Sequence, residues 1–211
     1  MQQIYLDNAA TTPVRPEVEE VMQPYFCEKY GNPSGIYKMA SECRQALETV
    51  RKQIGKTLKV SAEEIYFTSG GTESDNWAIK STAQRLKEKG KHIITSKIEH
   101  HAVLNSCAYL ETQGFEVTYL DVDEWGCVRF DALQRAIRKD TILISIMYAN
   151  NEVGTIQPIG QIGKIAKEND IFFHTDAVQA YGQIPIDVKR ENIHLLSASA
   201  HKFNGPKGVG F

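Results

Sequence analysis

The sequence predicts an α/β protein whose mainly parallel sheet is covered by helices on both faces. Two patterns carry this expectation. From about residue 65 onward, short apolar runs alternate with amphipathic stretches of helical period. Clusters of polar and glycine residues then recur directly after the apolar runs, where open α/β sheets gather their ligands.

The elements follow in chain order. A first helix is expected from Pro16, a favoured first-turn residue, with apolar groups at Val18, Val21, Met22, Tyr25 and Phe26. It should end toward "YGNPSG", a turn-rich break. A second helix is expected from about Ser41 to Leu58, with Cys43, Ala46, Leu47, Val50 and Ile54 on one face. Ser61 and Glu64 have capping-box spacing for a short helical start, and "IYFT" then reads as a strand. Alternation is regular from there: helix "ESDNWAIKSTAQRLKEK", strand "HIITS", helix "AVLNSCAYLETQ", strand "FEVTYL", helix "DALQRAIR" and strand "TILISIMY". Helix "IGQIGKIAKEN" precedes strand "IFFHTDA", "HLLSASA" reads as one more strand, and the residues up to Phe211 read as the opening of another. Strands this short and apolar, separated by amphipathic helices, are buried on both faces.

With 211 residues, 42% hydrophobic and 24% charged, and a formal net charge of -2, the chain has an ordinary globular composition and no electrostatic footprint for nucleic acid. No basic block suggests a membrane surface, and no apolar run approaches the roughly 20 residues of a bilayer span. "MQQIYLDNAATTP" lacks the basic start and apolar core of a signal peptide, so a cytoplasmic location is expected. The cysteines Cys27, Cys43, Cys107 and Cys127 form no CxxC pair and read as reduced thiols in or near the core. No metal site is expected, since zinc needs closely spaced ligands and the neighbouring side chains of His100 and His101 diverge.

Five polar clusters follow the predicted strands: "SGGTES", "KIEHH", "ANNEVG", "TDAVQ" and "SAHK". In the first, Gly71 and Thr72 open a helix whose free amides can hold a phosphate, or the loop is an ordinary turn with Thr72 as cap. The spacing fits neither GxGxxG nor a Walker loop. Asp176 stands at a buried strand end, where a carboxylate needs a partner. It either caps the next helix or faces a positively charged ring nitrogen, as pyridoxal phosphate enzymes require. Lys202, among small residues at a strand end, should have a depressed pKa and a nucleophilic amine able to form a Schiff base with an aldehyde. Lys207 reads as an exposed turn lysine. His100 can lie flat against an aromatic cofactor or shuttle protons, while His101 reads as a first-turn helix residue. Asn151 and Gln179 offer neutral amides to a ring hydroxyl and a substrate; Asn150 and Glu152 read as shaping the turn.

Seven ordered motifs, "YLDNAATTP", "YGNPSG", "FTSGGTESDN", "IEHHAVL", "YANNEVGTIQPI", "HTDAVQA" and "SASAHKFNGPKGVGF", together resemble the cysteine desulfurases of the class V aminotransferase family over essentially the whole chain. The resemblance implies the large domain of the fold-type I pyridoxal phosphate enzymes, incomplete at its carboxyl end. Residues 1–15 would belong to the small domain and residues 16–211 to the cofactor-binding large domain. It implies that Lys202 holds pyridoxal 5'-phosphate and moves protons, and that Gly71, Thr72, Ser199 and His201 bind its phosphate. His100 would stack on the ring, Asp176 would face the pyridine nitrogen, Gln179 would bond the ring hydroxyl, and Asn151 would lie near the substrate carboxylate. The activity implied is removal of sulfur from L-cysteine to leave L-alanine and an enzyme persulfide, for delivery to a sulfur acceptor or iron-sulfur scaffold protein by a homodimer.

Two departures stand beside the match. Gly35 and Tyr37 occupy positions where many relatives carry serine and histidine. Members of the family also run to nearly twice this length, and their persulfide-forming cysteine and carboxylate-binding arginine lie beyond residue 211. The alternatives left by the residues are a selenocysteine lyase or other fold-type I enzyme, and a non-catalytic scaffold that keeps the fold.

Overall fold

The computed structural model describes residues 4–211. Five strands form one all-parallel sheet in the order β2-β1-β3-β4-β5: β1 is His92–Ser96, β2 Glu116–Leu120, β3 Thr141–Ser145, β4 Phe172–Asp176 and β5 Leu195–Ser197. Every residue of β1 and β3 is buried. Along them, successive side chains enter opposite cores. Ile93 and Leu143 pack with Ile79, Val103, Cys107 and Leu110; Ile94 and Ile144 pack with Leu133, Ile162 and Phe173. This two-residue period, apolar on both sides, is the reason the strands read as continuous apolar runs.

The covering helices fall where the periodicity places them. They are α4 (Gly71–Leu86) and α5 (His101–Thr112) against one core, and α6 (Phe130–Ala136) and α7 (Ile159–Glu168) against the other. From β1 the chain passes outward to β2 at one edge, then returns to β3 on the other side of β1. The carboxyl ends of β1 and β3 therefore flank a topological switch point, which opens a crevice at the sheet's end.

The first part of the chain departs from expectation. The single helix read from Pro16 is two short ones, α1 (Pro16–Met22) and α2 (Pro24–Cys27), because Pro24 lacks an amide hydrogen and ends the preceding turn. Their apolar face is not in the core: Val21 and Phe26 are each 66% exposed. The next helix, α3 (Lys38–Leu58), begins three residues before the predicted Ser41 and likewise leaves Leu47 and Val50 exposed. Cys27 is exposed, while Cys43 and Cys107 are buried as predicted.

The capping box at Ser61 and Glu64 is present. "IYFT", however, forms no strand of the main sheet; Thr68 makes an isolated antiparallel bridge to Gly210, which also bridges Ser199. The bridge is a single exchange of backbone bonds between Thr68 and Gly210, while the flanking Val209 and Phe211 bond instead to Ala200 and Ala198. The run "HLLSASA" is strand only over Leu195–Ser197, and Ala200–Lys202 turns into a short 3-10 helix.

Candidate active site

The five polar clusters converge. Thr72, His100, Asn151, Asp176, Gln179, Ser199, His201 and Lys202 line one cavity of about 480 Å³ at the carboxyl ends of the strands, and Gly71 forms part of its wall. Among the described residues no group of three or more His, Cys, Asp or Glu is arranged to hold a metal ion, and no helix is long and apolar enough to cross a membrane.

The turn before α4 explains its glycines. Gly70 has φ +149°, a conformation that L side chains rarely adopt. A Cβ on Gly71 would stand 2.6 Å from Val178 Cγ2, so only glycine lets the helix end meet the loop after β4. The amides of the first turn of α4 are left for an anion at this end. Ser199 is nearly buried beside them. Thr72 is not the cap: Gly70 holds that position without a side-chain cap, and Glu73 reaches back to accept from Ser69 N at 2.6 Å.

His100 is the N-cap of α5, with Nδ1 accepting from Ala102 N at 3.1 Å. That bond places the ring proton on Nε2 and fixes the ring. His101 is the first helical residue, as expected. Asn150 acts on its own turn, accepting from the amides of Glu152 and Val153, and leaves Asn151 to the cavity.

Asp176, 5% exposed at the end of β4, accepts from Val178 N at 2.9 Å. No helix follows Asp176 directly, so the carboxylate caps a turn rather than a helix, and it also lines the cavity. Burial pushes its pKa up, opposed by the Val178 amide and by the nearby His100 and Lys202 side chains. The Lys202 pKa is pushed down by burial, with Asp176 and Asp7 opposing.

Sequence reasoning assigned no site function to the amino-terminal segment. Lys202 Nζ donates to the carbonyls of Ala9 and Ala10, 2.9 Å to the latter. Gln179 Nε2 donates to Ala9 O at 2.8 Å. Thr11 Oγ1 lies 3.0 Å from His201 Nδ1, and Asn204 Nδ2 donates to Pro13 O. "DNAATTP" is thus a strap across the lysine loop.

Two buried acids also escaped notice. Asp75 on α4 lines the cavity with 1% exposure, and Glu99 is buried beside His100. The available signal was spacing: Asp75, Ile79 and Thr82 fall on one helical face, and that face is buried.

A planar anion with a cationic ring nitrogen fits this donor set. There is an amide-rich helix end, a buried carboxylate deeper in, a fixed imidazole, and a half-buried amine. Pyridoxal phosphate has those features.

The model of the family described as Aminotransferase class-V matches residues 4–211. A cysteine desulfurase IscS from Methanosarcina thermophila is 64% identical over 207 residues, covering 98% of this chain and 51% of the relative. One from Dictyoglomus turgidum is 60% identical over 209 residues, covering 99% and 53%. Among solved structures, a NifS-like protein superposes with a TM-score of 0.96 at 44% identity, over 99% of this chain and 58% of that one. A structure described as SspA in complex with cysteine also gives 0.96, at 46% identity, over 99% and 60%. The chain spans about half the length of the curated relatives it matches.

Proposed function

The chain belongs to the class-V aminotransferase family, and on that premise we propose that it is the pyridoxal phosphate-binding half of a cysteine desulfurase, which takes sulfur from L-cysteine and leaves L-alanine. The observation that carries this reading is the meeting of Lys202, Asp176 and His100 with the amino end of α4 in one cavity. Two relatives named cysteine desulfurase and a neighbour described in complex with cysteine support the substrate.

When bound, the cofactor supplies an electron sink that weakens the bonds around the α-carbon of an attached amino acid. The chain's own residues do the rest. The first-turn amides of Gly71 and Thr72, with Ser199 and His201, would hold the phosphate. Asp176 would balance the ring cation, and its burial makes that charge pairing strong. His100, locked by its bond to Ala102 N, would cover the ring. Gln179 and Asn151 would serve the ring hydroxyl and the substrate carboxylate. Lys202, which donates to the Ala9 and Ala10 carbonyls, would be the amine that holds the cofactor aldehyde, and the burial that depresses its pKa would leave more of it free of a proton. The same amine would then accept and return protons near the bound amino acid.

The acceptor thiol is a separate matter. None of Cys27, Cys43, Cys107 or Cys127 lines the cavity, and burial pushes the Cys107 thiol up to about 12. We therefore assign the persulfide to the part of the relatives that this chain does not span. The same proposal includes a cytoplasmic homodimer that passes sulfur to an acceptor or iron-sulfur scaffold protein. It also includes the division of residues 1–15 from 16–211 as parts of a small and a large domain.

Adding pyridoxal phosphate to the purified chain tests the reading. A visible band that borohydride abolishes, with the reduced label mapped to Lys202, is the expected result. A band that persists in Lys202→Ala, or a label elsewhere, overturns it.

A further inference from the structure

Asp75 and Asp176 line the cavity, Glu99 is buried next to His100 in the chain, and among the described residues no Lys or Arg side chain is bonded to any of the three. Asp75, Asp176 and Glu99 are 1%, 5% and 5% exposed. Glu99 Oε1 accepts from Ser96 Oγ at 2.6 Å and from Met147 N at 3.0 Å, but its Oε2 has no partner among the described residues. Asp75 Oδ1 also has none. His174 Nε2 stands 3.6 Å from it and is within hydrogen-bond distance of Ser197 Oγ at 3.0 Å. The other ring nitrogen of His174 is engaged with Ser145 Oγ at 2.8 Å. His174 is fully buried, so its imidazole is neutral and offers Asp75 no positive charge.

We propose that Asp75 is a positioning residue: a neutral carboxylic acid in the cavity floor that confines the buried negative charge to Asp176.

All three are buried, and the charges of Asp176 and Glu99 disfavour ionisation of Asp75, so the protons go to the groups least able to support charge. Asp176 has three groups favouring its ionised form: the Val178 amide, His100 and Lys202. Asp75 has only the Ser197 hydroxyl, while burial, Asp176 and Glu99 all favour its neutral form. Glu99 is pushed up to about 8 by burial. The order of ionisation follows, with Asp176 first. A second carboxylate at Asp75 would draw a cationic ring away from Asp176 or force Asp176 to take the proton. A neutral acid there does neither, and its hydroxyl can donate to an oxygen.

Infrared spectra of the chain at neutral pH test the protonation state without any cofactor. Asp75→Asn should remove intensity from the protonated carboxylic-acid carbonyl band and leave carboxylate intensity unchanged. Loss of carboxylate intensity instead overturns the proposal. Should Asp75→Asn fail to fold, the Asp75 Cγ resonance of the unaltered chain, labelled with ¹³C-aspartate, decides in its place. A protonated-acid shift supports the proposal and a carboxylate shift overturns it.

The positioning role rests on the proposed cofactor and is read from pyridoxal phosphate affinity. Asp75→Asn should stay within about threefold of the parent, since one neutral group replaces another of the same shape. Asp176→Asn should weaken binding at least about 100-fold, the size expected when one member of a buried charge pair is removed. Equal losses in the two variants would make Asp75 a counter-ion and overturn the proposal. If the parent takes up no cofactor, it is the functional reading that fails, and the infrared result still decides the state of Asp75.

Discussion

Thr12 and His201, 189 residues apart, are joined by two hydrogen bonds: the amide and hydroxyl of Thr12 both donate to the His201 carbonyl, at 2.9 and 2.8 Å. The same Thr12 hydroxyl accepts from Asn204 N at 2.8 Å. One side chain therefore fastens the amino-terminal strap to the loop that carries Lys202. Thr12→Val, nearly the same in shape, should cost about 1 kcal/mol in denaturant unfolding, because the half-buried Asn204 amide loses its acceptor while the His201 carbonyl keeps the Thr12 amide. It should also weaken pyridoxal phosphate binding, which Thr12→Ser should largely restore.

The contact between Gly71 and Val178 gives a second prediction. Gly71→Ala places its Cβ against Val178 Cγ2, so either the loop after β4 or the helix end must shift. We expect a loss of about 1–3 kcal/mol by overpacking and weaker cofactor binding. Adding Val178→Ala should recover part of both, and a double-mutant cycle by thermal melting would measure the coupling.

Glu99 predicts a dependence on pH. Its carboxyl is raised from an ordinary value of 4.5 to about 8 by burial. Between those values the folded state keeps a proton that the unfolded state has lost. Its contribution to stability is therefore fully present below pH 4.5 and is lost as pH rises toward about 8. Glu99→Gln keeps the acceptor used by Ser96 and Met147 and cannot ionise. The variant should gain on the parent by a few kcal/mol across that window, as read from urea melts at stepped pH.

His174 acts in the opposite direction. Burial lowers its pKa from 6.5 to about 3, so below 6.5 the unfolded chain binds a proton that the folded ring refuses. That contribution is complete above pH 6.5 and falls away as pH drops toward about 3. In ring NMR spectra, His174 should show no titration from about pH 8 down to about pH 4, far below an ordinary histidine midpoint.

What is legible in the sequence is whatever depends on a neighbour close along the chain. The period of α4, α5 and α7, and the apolar runs of β1, β3 and β4, are local patterns, and the loops after those strands met at one cavity. "IYFT" misled because its partner, Gly210, is more than a hundred residues away. Val21, Tyr25 and Phe26 have helical spacing but are left exposed, and nothing local distinguishes an apolar face that meets the core from one that does not. Asp75 was missed for a related reason. A charged residue on a helix ordinarily faces water, and only the packing of α4 over the carboxyl ends of β4 and β5 buries this one.

The strap has a consequence for the order in which the molecule is made. Ala9 waits 193 residues for Lys202. The strands and helices between them can pair with near neighbours as they emerge from the ribosome, but the pocket's floor and its cover cannot meet until the lysine loop has left the exit tunnel. Closure of so long a loop is slow compared with local pairing. The contact between Lys202 and the strap therefore cannot precede synthesis of the lysine loop, and a nascent chain that stalls before residue 202 cannot make it.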